Sequence, residues 1–180
     1  LGSAKASEIV LGSAPNLQTV PILVAEAKGY FKEEGVKIKF VKFVSGRRAL
    51  EALIGGQLDI AFMAEYPVAV ASLRQQKNFS MISTLSRYLA NRLISKGSIG
   101  FKTLKDLEGK KIGTTVGSNT EFFTERLIKR SGIKVEVLNV SPPDIVPALA
   151  RGDIDAGVMF PDFYPSAQKT LGADYREFKS

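Results

Sequence analysis

The chain has 180 residues, with 25 lysines and arginines against 18 acidic residues, a net charge of +7, and neither cysteine nor histidine. The missing cysteines exclude disulfides and a thiol nucleophile, and the missing histidines remove the usual general base, the Ser-His triad and most zinc sites. Its apolar and charged fractions are those of a globular protein, large enough for one domain or two small lobes, and no apolar run reaches the roughly 18 to 20 residues of a bilayer span.

Ser7–Gly12 reads as a strand and Ser13–Gln18 as a polar turn. From Thr19 to Glu34, Val20, Leu23, Val24, Ala27 and Phe31 recur at helical spacing, which predicts one helix stopped by Gly35. Lys37–Val44 alternates lysine with Ile38, Phe40 and Phe43, the pattern of a strand with one wet face. Ser45-Gly46 turns into a helix over Arg47–Ile54, Leu58–Met63 is a strand apolar enough to be central, and Pro67 opens a helix running to about Gln75. Met81–Leu85 and Leu89–Ser95 read as extended crossing segments. Next come a strand at Lys111–Thr115, a turn at Val116–Asn119 and a helix at Thr120–Ser131, opened by Ser118 and Glu121 at capping-box spacing. Gly132–Val140 supplies another strand, Pro142-Pro143 another helix start, and Asp155–Phe160 a last strand.

The chain thus states one plan twice. Gly35–Val44 and Gly56–Phe62 correspond to Gly132–Val140 and Gly152–Val158, with Asp59 and Asp155 in the same place, 155 − 59 = 96 positions apart. A repeat this long is no solenoid unit. It predicts an α/β protein of two similar β-α-β-α-β lobes, residues 1–85 and 86–180, with crossing segments near 81–95 and a cleft between the lobes. Short connections favour parallel strands with right-handed crossovers, and ligands of such sheets sit beyond the strands' carboxyl ends.

That rule selects the candidate ligand residues Ser13, Pro15, Asn16 and Leu17, then Ser45 and Gly46, then Ala64, Glu65 and Tyr66. In the second lobe it selects Gly117, Ser118, Asn119 and Thr120, then Pro161 and Asp162. The start of the helix after Gly117 is either a seat for an anion or a plain cap. Glu65 and Asp162 hold corresponding places and either face a cationic group or cap the helices begun near Pro67 and Pro165. If both are seats, the ligand is zwitterionic, or polar with an anionic end. Arg87, on the first crossing segment, either grips an oxyanion bidentately or is an exposed linker residue. Tyr66, Phe160, Phe163 and Tyr164 either wall an organic ligand or pack the core. Asp59 and Asp155 precede the apolar body of their strands, at the end away from the ligand, and are structural. Gly97-Ser-Ile-Gly100 has the wrong spacing for a phosphate loop. No catalytic residue, metal site or cofactor is expected. The spread lysines (Lys37, Lys39, Lys42; Lys102, Lys105, Lys110, Lys111) read as a solvated basic surface and not as a nucleic-acid interface.

Gly29–Val36 and Ala52–Ala61 resemble the first lobe of type II periplasmic solute-binding proteins, in the branch for sulfonates, taurine, nitrate and thiamine precursors. Asp106-Leu-Glu-Gly-Lys-Lys-Ile-Gly113 is similar to that family's lead into the second lobe. Asn139–Asp144, Ala148-Leu149 and Gly152–Ala156 follow in the family's order, so the likeness runs from Ile9 to Gly172. It implies a protein that captures a small ligand between two lobes and delivers it to the membrane permease of an ABC importer. It also implies a periplasmic location or a tether on the outer face of the membrane, with the signal segment not present in this chain although Ala4-Lys5-Ala6 suits a cleavage site. In the family the chain crosses back to complete the first lobe. This one stops at Ser180, so either it is a fragment or the return lies in a remainder not shown; the first lobe as written is expected to leave an apolar face uncovered, prone to association where a complete chain would be a monomer. The alternative is a ligand-sensing domain of a regulator with the same fold. Some relatives in the thiamine branch are enzymes that consume one of their own histidines, and a chain without histidine argues against that activity.

Overall fold

The computed structural model describes residues 8–76, 78–87 and 91–178. The chain divides into two compact units, Leu1–Arg87 and Tyr88–Ser180. Ala4-Lys5-Ala6 and Leu89 lie outside the described residues.

In the first unit β1 (Ile9–Ser13), β2 (Ile38–Lys42) and β3 (Ile60–Phe62) form a parallel sheet in the order β2-β1-β3. The expectation of a central β3 is therefore corrected. β1 is the strand bonded on both sides, with Gly12 beside Val41 and Ala61, and the apolar run of β3 remains only half-buried. Between β1 and β2 the single expected helix is two, α1 (Val20–Ala27) and α2 (Tyr30–Glu33). Gly29 is the cause: its φ of 79° lies in the left-handed region that breaks a helix, although the apolar spacing runs straight across it. α3 (Gly46–Ile54) buries Ala49, Leu50 and Ala52, and α4 (Glu65–Leu73) buries Pro67 and Ala71. On α1, Ile22 is buried while Val20, Leu23 and Val24 are exposed.

The second unit goes beyond the expected β-α-β-α-β plan. Its sheet has five strands: β4 (Arg92–Lys96), β5 (Lys111–Thr114), β6 (Glu136–Asn139), β7 (Ala156–Met159) and β8 (Tyr175–Phe178), in the order β6-β5-β7-β4-β8. β5 pairs in parallel with β6 and β7, while β4 runs antiparallel to β7 and β8. Much of the second expected crossing segment is thus an interior strand, whereas residues 81–87 are exposed and without regular structure. α5 (Asn119–Ser131) follows β5, α6 (Ile145–Arg151) precedes β7 and α7 (Tyr164–Leu171) follows it. Strand alternation sends neighbouring residues to opposite faces. Ile94 and Met159 join Ile145, Leu149 and Ala167 in one core layer, while Leu93 and Val158 join Ile112 and Leu127 in the other.

Candidate functional site

In the first unit the parallel register brings Ser13, Lys42 and Phe62 to one end of the sheet, so the turns after the three strands share that end. Ser13 is buried and donates its hydroxyl to Ala14 C=O at 3.1 Å, while Pro15 and Leu17 are exposed. Asn16 is a cap: its Oδ1 accepts the N–H groups of Gln18 at 3.0 Å and Thr19 at 3.3 Å, and Thr19 Oγ1 accepts the Asn16 N–H at 2.9 Å. Ser45, also buried, caps α3 by accepting the Arg48 N–H at 3.4 Å. Gly46 is packed so closely that a Cβ there would lie 2.6 Å from Met63 Cβ, which joins this turn to the one at Ala64–Tyr66. Glu65 is exposed in the first turn of α4, where a carboxylate favours the helix dipole, and Tyr66 is half-buried. Arg87 is exposed at the end of this unit.

In the second unit Gly117 and Ser118 lead from β5 into α5, whose first residues are Asn119 and Thr120, and the hydroxyls of Ser118 and Thr120 form a buried knot there. Ser118 Oγ donates to Thr115 C=O at 2.7 Å and accepts the Thr120 N–H at 3.2 Å. Thr120 Oγ1 accepts the Thr114 hydroxyl at 3.1 Å and the Thr115 N–H at 3.3 Å, which leaves its own proton for Ser118 Oγ at 2.8 Å. Both hydroxyl hydrogens are therefore spent inside the protein, and both side chains are buried. Glu121 does not follow the simple capping-box expectation: its carboxylate accepts the N–H of Gly117 at 2.8 Å. The Val116 N–H goes to Asn139 Oδ1 at 3.1 Å. Among the described residues the Ser118 and Asn119 N–H groups have no internal acceptor and are the donors left over at the start of α5.

Pro161 and Asp162 form a short turn after β7, with Asp162 exposed. Of the aromatic residues, Tyr164 is 9% exposed and lies under the Arg92 guanidinium, 4.9 Å from the ring centre, and Phe163 packs on the core. Of the four aromatic residues, Phe163 and Tyr164 thus pack in the core of this unit, while Tyr66 and Phe160 are half-buried. Glu177 holds Arg92 at 2.6 Å and accepts the Tyr175 hydroxyl at 3.0 Å; burial, then that hydrogen bond, raise the Tyr175 phenol above its ordinary 10.0.

Sequence reasoning missed Asn91. It directly precedes β4, and Arg92 pairs with Met159, so Asn91 lies at the end of the sheet where β5 and β7 finish. Its Nδ2 donates to Asn119 C=O at 3.2 Å across 28 sequence positions, and no local pattern marks such a partner. No cluster of His, Cys, Asp or Glu able to hold a metal occurs among the described residues.

A family model described as "NMT1/THI5 like" matches residues 16–180. The chain is 34% identical over 146 residues to a taurine-binding periplasmic protein of Escherichia coli (strain K12), covering 78% of this chain and 44% of that one. It is 30% identical over 140 residues to the 4-amino-5-hydroxymethyl-2-methylpyrimidine phosphate synthase of Aspergillus parasiticus, covering 77% of this chain and 41% of that one. The chain thus spans less than half the length of these curated relatives. Among solved structures, the alkanesulfonate-binding protein SsuA from Xanthomonas axonopodis pv. citri, bound to MOPS, superposes with a TM-score of 0.77 at 23% identity, over 97% of this chain and 61% of that one. That likeness shows the fold.

Proposed function

The chain belongs to the NMT1/THI5-like family, and we propose that the protein is a solute-binding component that captures a small anionic or zwitterionic organic ligand, sulfonate- or taurine-like, and hands it to the permease of an ABC importer. The observation that carries this reading is the 34% identity to a taurine-binding periplasmic protein across 78% of the chain. The geometry supports it. Each unit gathers its turns at the carboxyl ends of parallel strands, and the Ser118 and Asn119 N–H groups offer donors for an oxyanion at the start of α5. A place outside the cytoplasmic membrane belongs to the same reading, supported by the periplasmic relative of Escherichia coli. No helix among the described residues is long and apolar enough to cross a membrane.

Synthesis of a pyrimidine phosphate is the second reading, favoured by the 30% identity to the Aspergillus synthase. These 180 residues hold no histidine or cysteine. A thermal-shift panel on the full-length protein separates the two, using taurine, alkanesulfonates, nitrate, bicarbonate and aminopyrimidines. A ligand at about a hundred times its dissociation constant adds roughly 2.7 kcal/mol of stability. A rise in melting temperature with a sulfonate supports the proposal; a rise with aminopyrimidines alone overturns it in favour of the synthase branch.

A further inference from the structure

We infer that the end of the second unit opposite its candidate turns is a docking face for a lipid bilayer with anionic headgroups. This goes beyond the solute-binding reading and does not depend on which solute is bound.

The second unit has two unlike ends. The turns after β5 and β7 gather at one, while the starts of β5, β6 and β7 and the last turns of α5 and α6 gather at the other. Lys110 and Lys111 enter β5 at that second end, and Lys134 lies against them, its C=O accepting the Gly109 N–H at 2.7 Å. Lys105 stands in the short turn Leu104–Leu107, where the Leu107 C=O accepts the Lys110 N–H at 3.0 Å. Lys129 and Arg130 lie in the last turn of α5, which leads through Gly132 into Lys134. Lys110 is half-buried and the other five are exposed, and none of the six forms an ion pair among the described residues.

The carboxylates close by are engaged by the backbone. Asp106 accepts the N–H groups of Lys102 and Thr103, Glu108 accepts that of Lys134 at 2.9 Å, and Asp155 accepts that of Lys111 at 2.9 Å. Glu136 stands beside Lys111 in the strand register without forming an ion pair with it. The helix dipole accounts for cations in the last turn of α5. It does not account for Lys105, Lys110, Lys111 and Lys134, which stand in a loop and at strand starts.

Residue type selects the partner. Protein interfaces favour arginine and aromatic anchors and are poor in lysine, and nucleic-acid faces interleave cations with aromatic side chains. Five of these six cations are lysine, and Phe101, which precedes the loop, is buried in the core. Lysine is a hydrated point charge on a flexible stem, which suits a fluid array of phosphate headgroups that imposes no fixed geometry. Each such charge near an anionic bilayer strengthens partitioning about fivefold, and the attraction is screened beyond about 10 Å at 0.1 M salt.

Vesicle co-sedimentation of the full-length protein tests this, with phosphatidylcholine alone and with phosphatidylcholine mixed with phosphatidylglycerol, at low and at high salt. Wild type is compared with a triple variant of this face, Lys105→Gln, Lys111→Gln and Lys134→Gln. A second triple variant, Lys28→Gln, Lys32→Gln and Lys39→Gln, has the same net charge but loses exposed lysines of the first unit. Unchanged melting shows that both fold. Wild type is expected to sediment with the anionic vesicles at low salt and to be released at high salt. The first variant should partition about a hundredfold more weakly, and the second should stay within about twofold of wild type. Equal losses in both variants overturn the face in favour of net charge alone. Equal binding to neutral vesicles, or binding that survives high salt, also overturns it. So does an absence of binding at low salt, which leaves the face to an acidic protein partner.

Discussion

Asp155 closes on Lys111 from both directions: its N–H donates to the Lys111 C=O at 2.9 Å, and its carboxylate accepts the Lys111 N–H at 2.9 Å. Asp59 does the same to Val10, at 3.0 Å and 2.8 Å. The repeated aspartate is thus a clasp between the first and third strand of each parallel arrangement, at the amino end of the sheet, where the N–H of an opening strand would otherwise lack a partner. Its recurrence reports a shared way of building the sheet. Asp155→Ala and Asp59→Ala should each cost about 1 kcal/mol in urea unfolding, with ligand affinity unchanged. A loss of affinity at unchanged stability would move these residues from the scaffold to the site.

The residue before each aspartate extends the parallel. Leu58 packs on Gly12 of β1 and Ile154 on Gly113 of β5. A Cβ on Gly113 would lie 2.6 Å from Ile154 Cδ1, inside any tolerable contact. Gly113→Ala is expected to cost about 1 to 3 kcal/mol through overpacking. Ile154→Val removes the offending methyl and alone should cost about 0.5 to 1.5 kcal/mol. The double variant should be more stable than the sum of the two predicts, which a double-mutant cycle measures directly. Simple additivity would show that the clash is relieved elsewhere.

The repeated aspartate was legible because it is local: Gly-x-Leu-Asp and Gly-Asp-Ile-Asp each sit at the mouth of a short apolar run. What was not legible is non-local. Tyr175-Arg-Glu-Phe178 has only a four-residue alternation, and it becomes a strand because β4, some eighty positions earlier, offers Leu93 to Lys96 as an edge. Whether Ile60–Phe62 is central or peripheral depends on which neighbours pair with it, a fact its own composition does not contain. Gly29 stands inside apolar spacing that continues on both sides, so only its left-handed φ reveals the break. At the candidate site, the helix start behind Gly117 was visible from residue types. The consumption of the Ser118 and Thr120 hydroxyls by Thr114 and Thr115 was not, because it follows from the exact meeting of a strand end and a helix start.

Acid should weaken the second unit through two carboxylates. Asp106 accepts the Thr103 N–H at 2.7 Å and the Lys102 N–H at 2.8 Å, which hold its carboxyl below the ordinary 3.8. Asp174 is lowered by the Ser98 hydroxyl at 2.6 Å, joined by the Ser98 N–H. Because the folded values lie below the unfolded ones, their stabilisation is complete above the unfolded value and is lost as pH falls through the folded values. The melting temperature is therefore expected to drop below about pH 4, and to drop less in Asp106→Asn and Asp174→Asn, which start lower at neutral pH. Parallel curves for wild type and variants would assign the acid sensitivity to other groups.

Thr120 supplies the sharpest separation between polar and apolar roles at the turn. It is fully buried, and its Oγ1 is tied to Thr114, Thr115 and Ser118. Thr120→Val keeps the shape but strips the Thr115 N–H and the Thr114 hydroxyl of their acceptor in a place water does not reach, at a cost of about 2 kcal/mol or more. Thr120→Ser keeps the oxygen and gives up one methyl group, at about 1 kcal/mol. If the oxygen organises this turn, Val is the more damaging substitution, although it is the more apolar of the two. Amide exchange at Thr115 should then rise in Thr120→Val and stay protected in Thr120→Ser. The reverse order of stabilities would mean that the residue serves as packing under α5, and that the turn holds its shape through Ser118 alone.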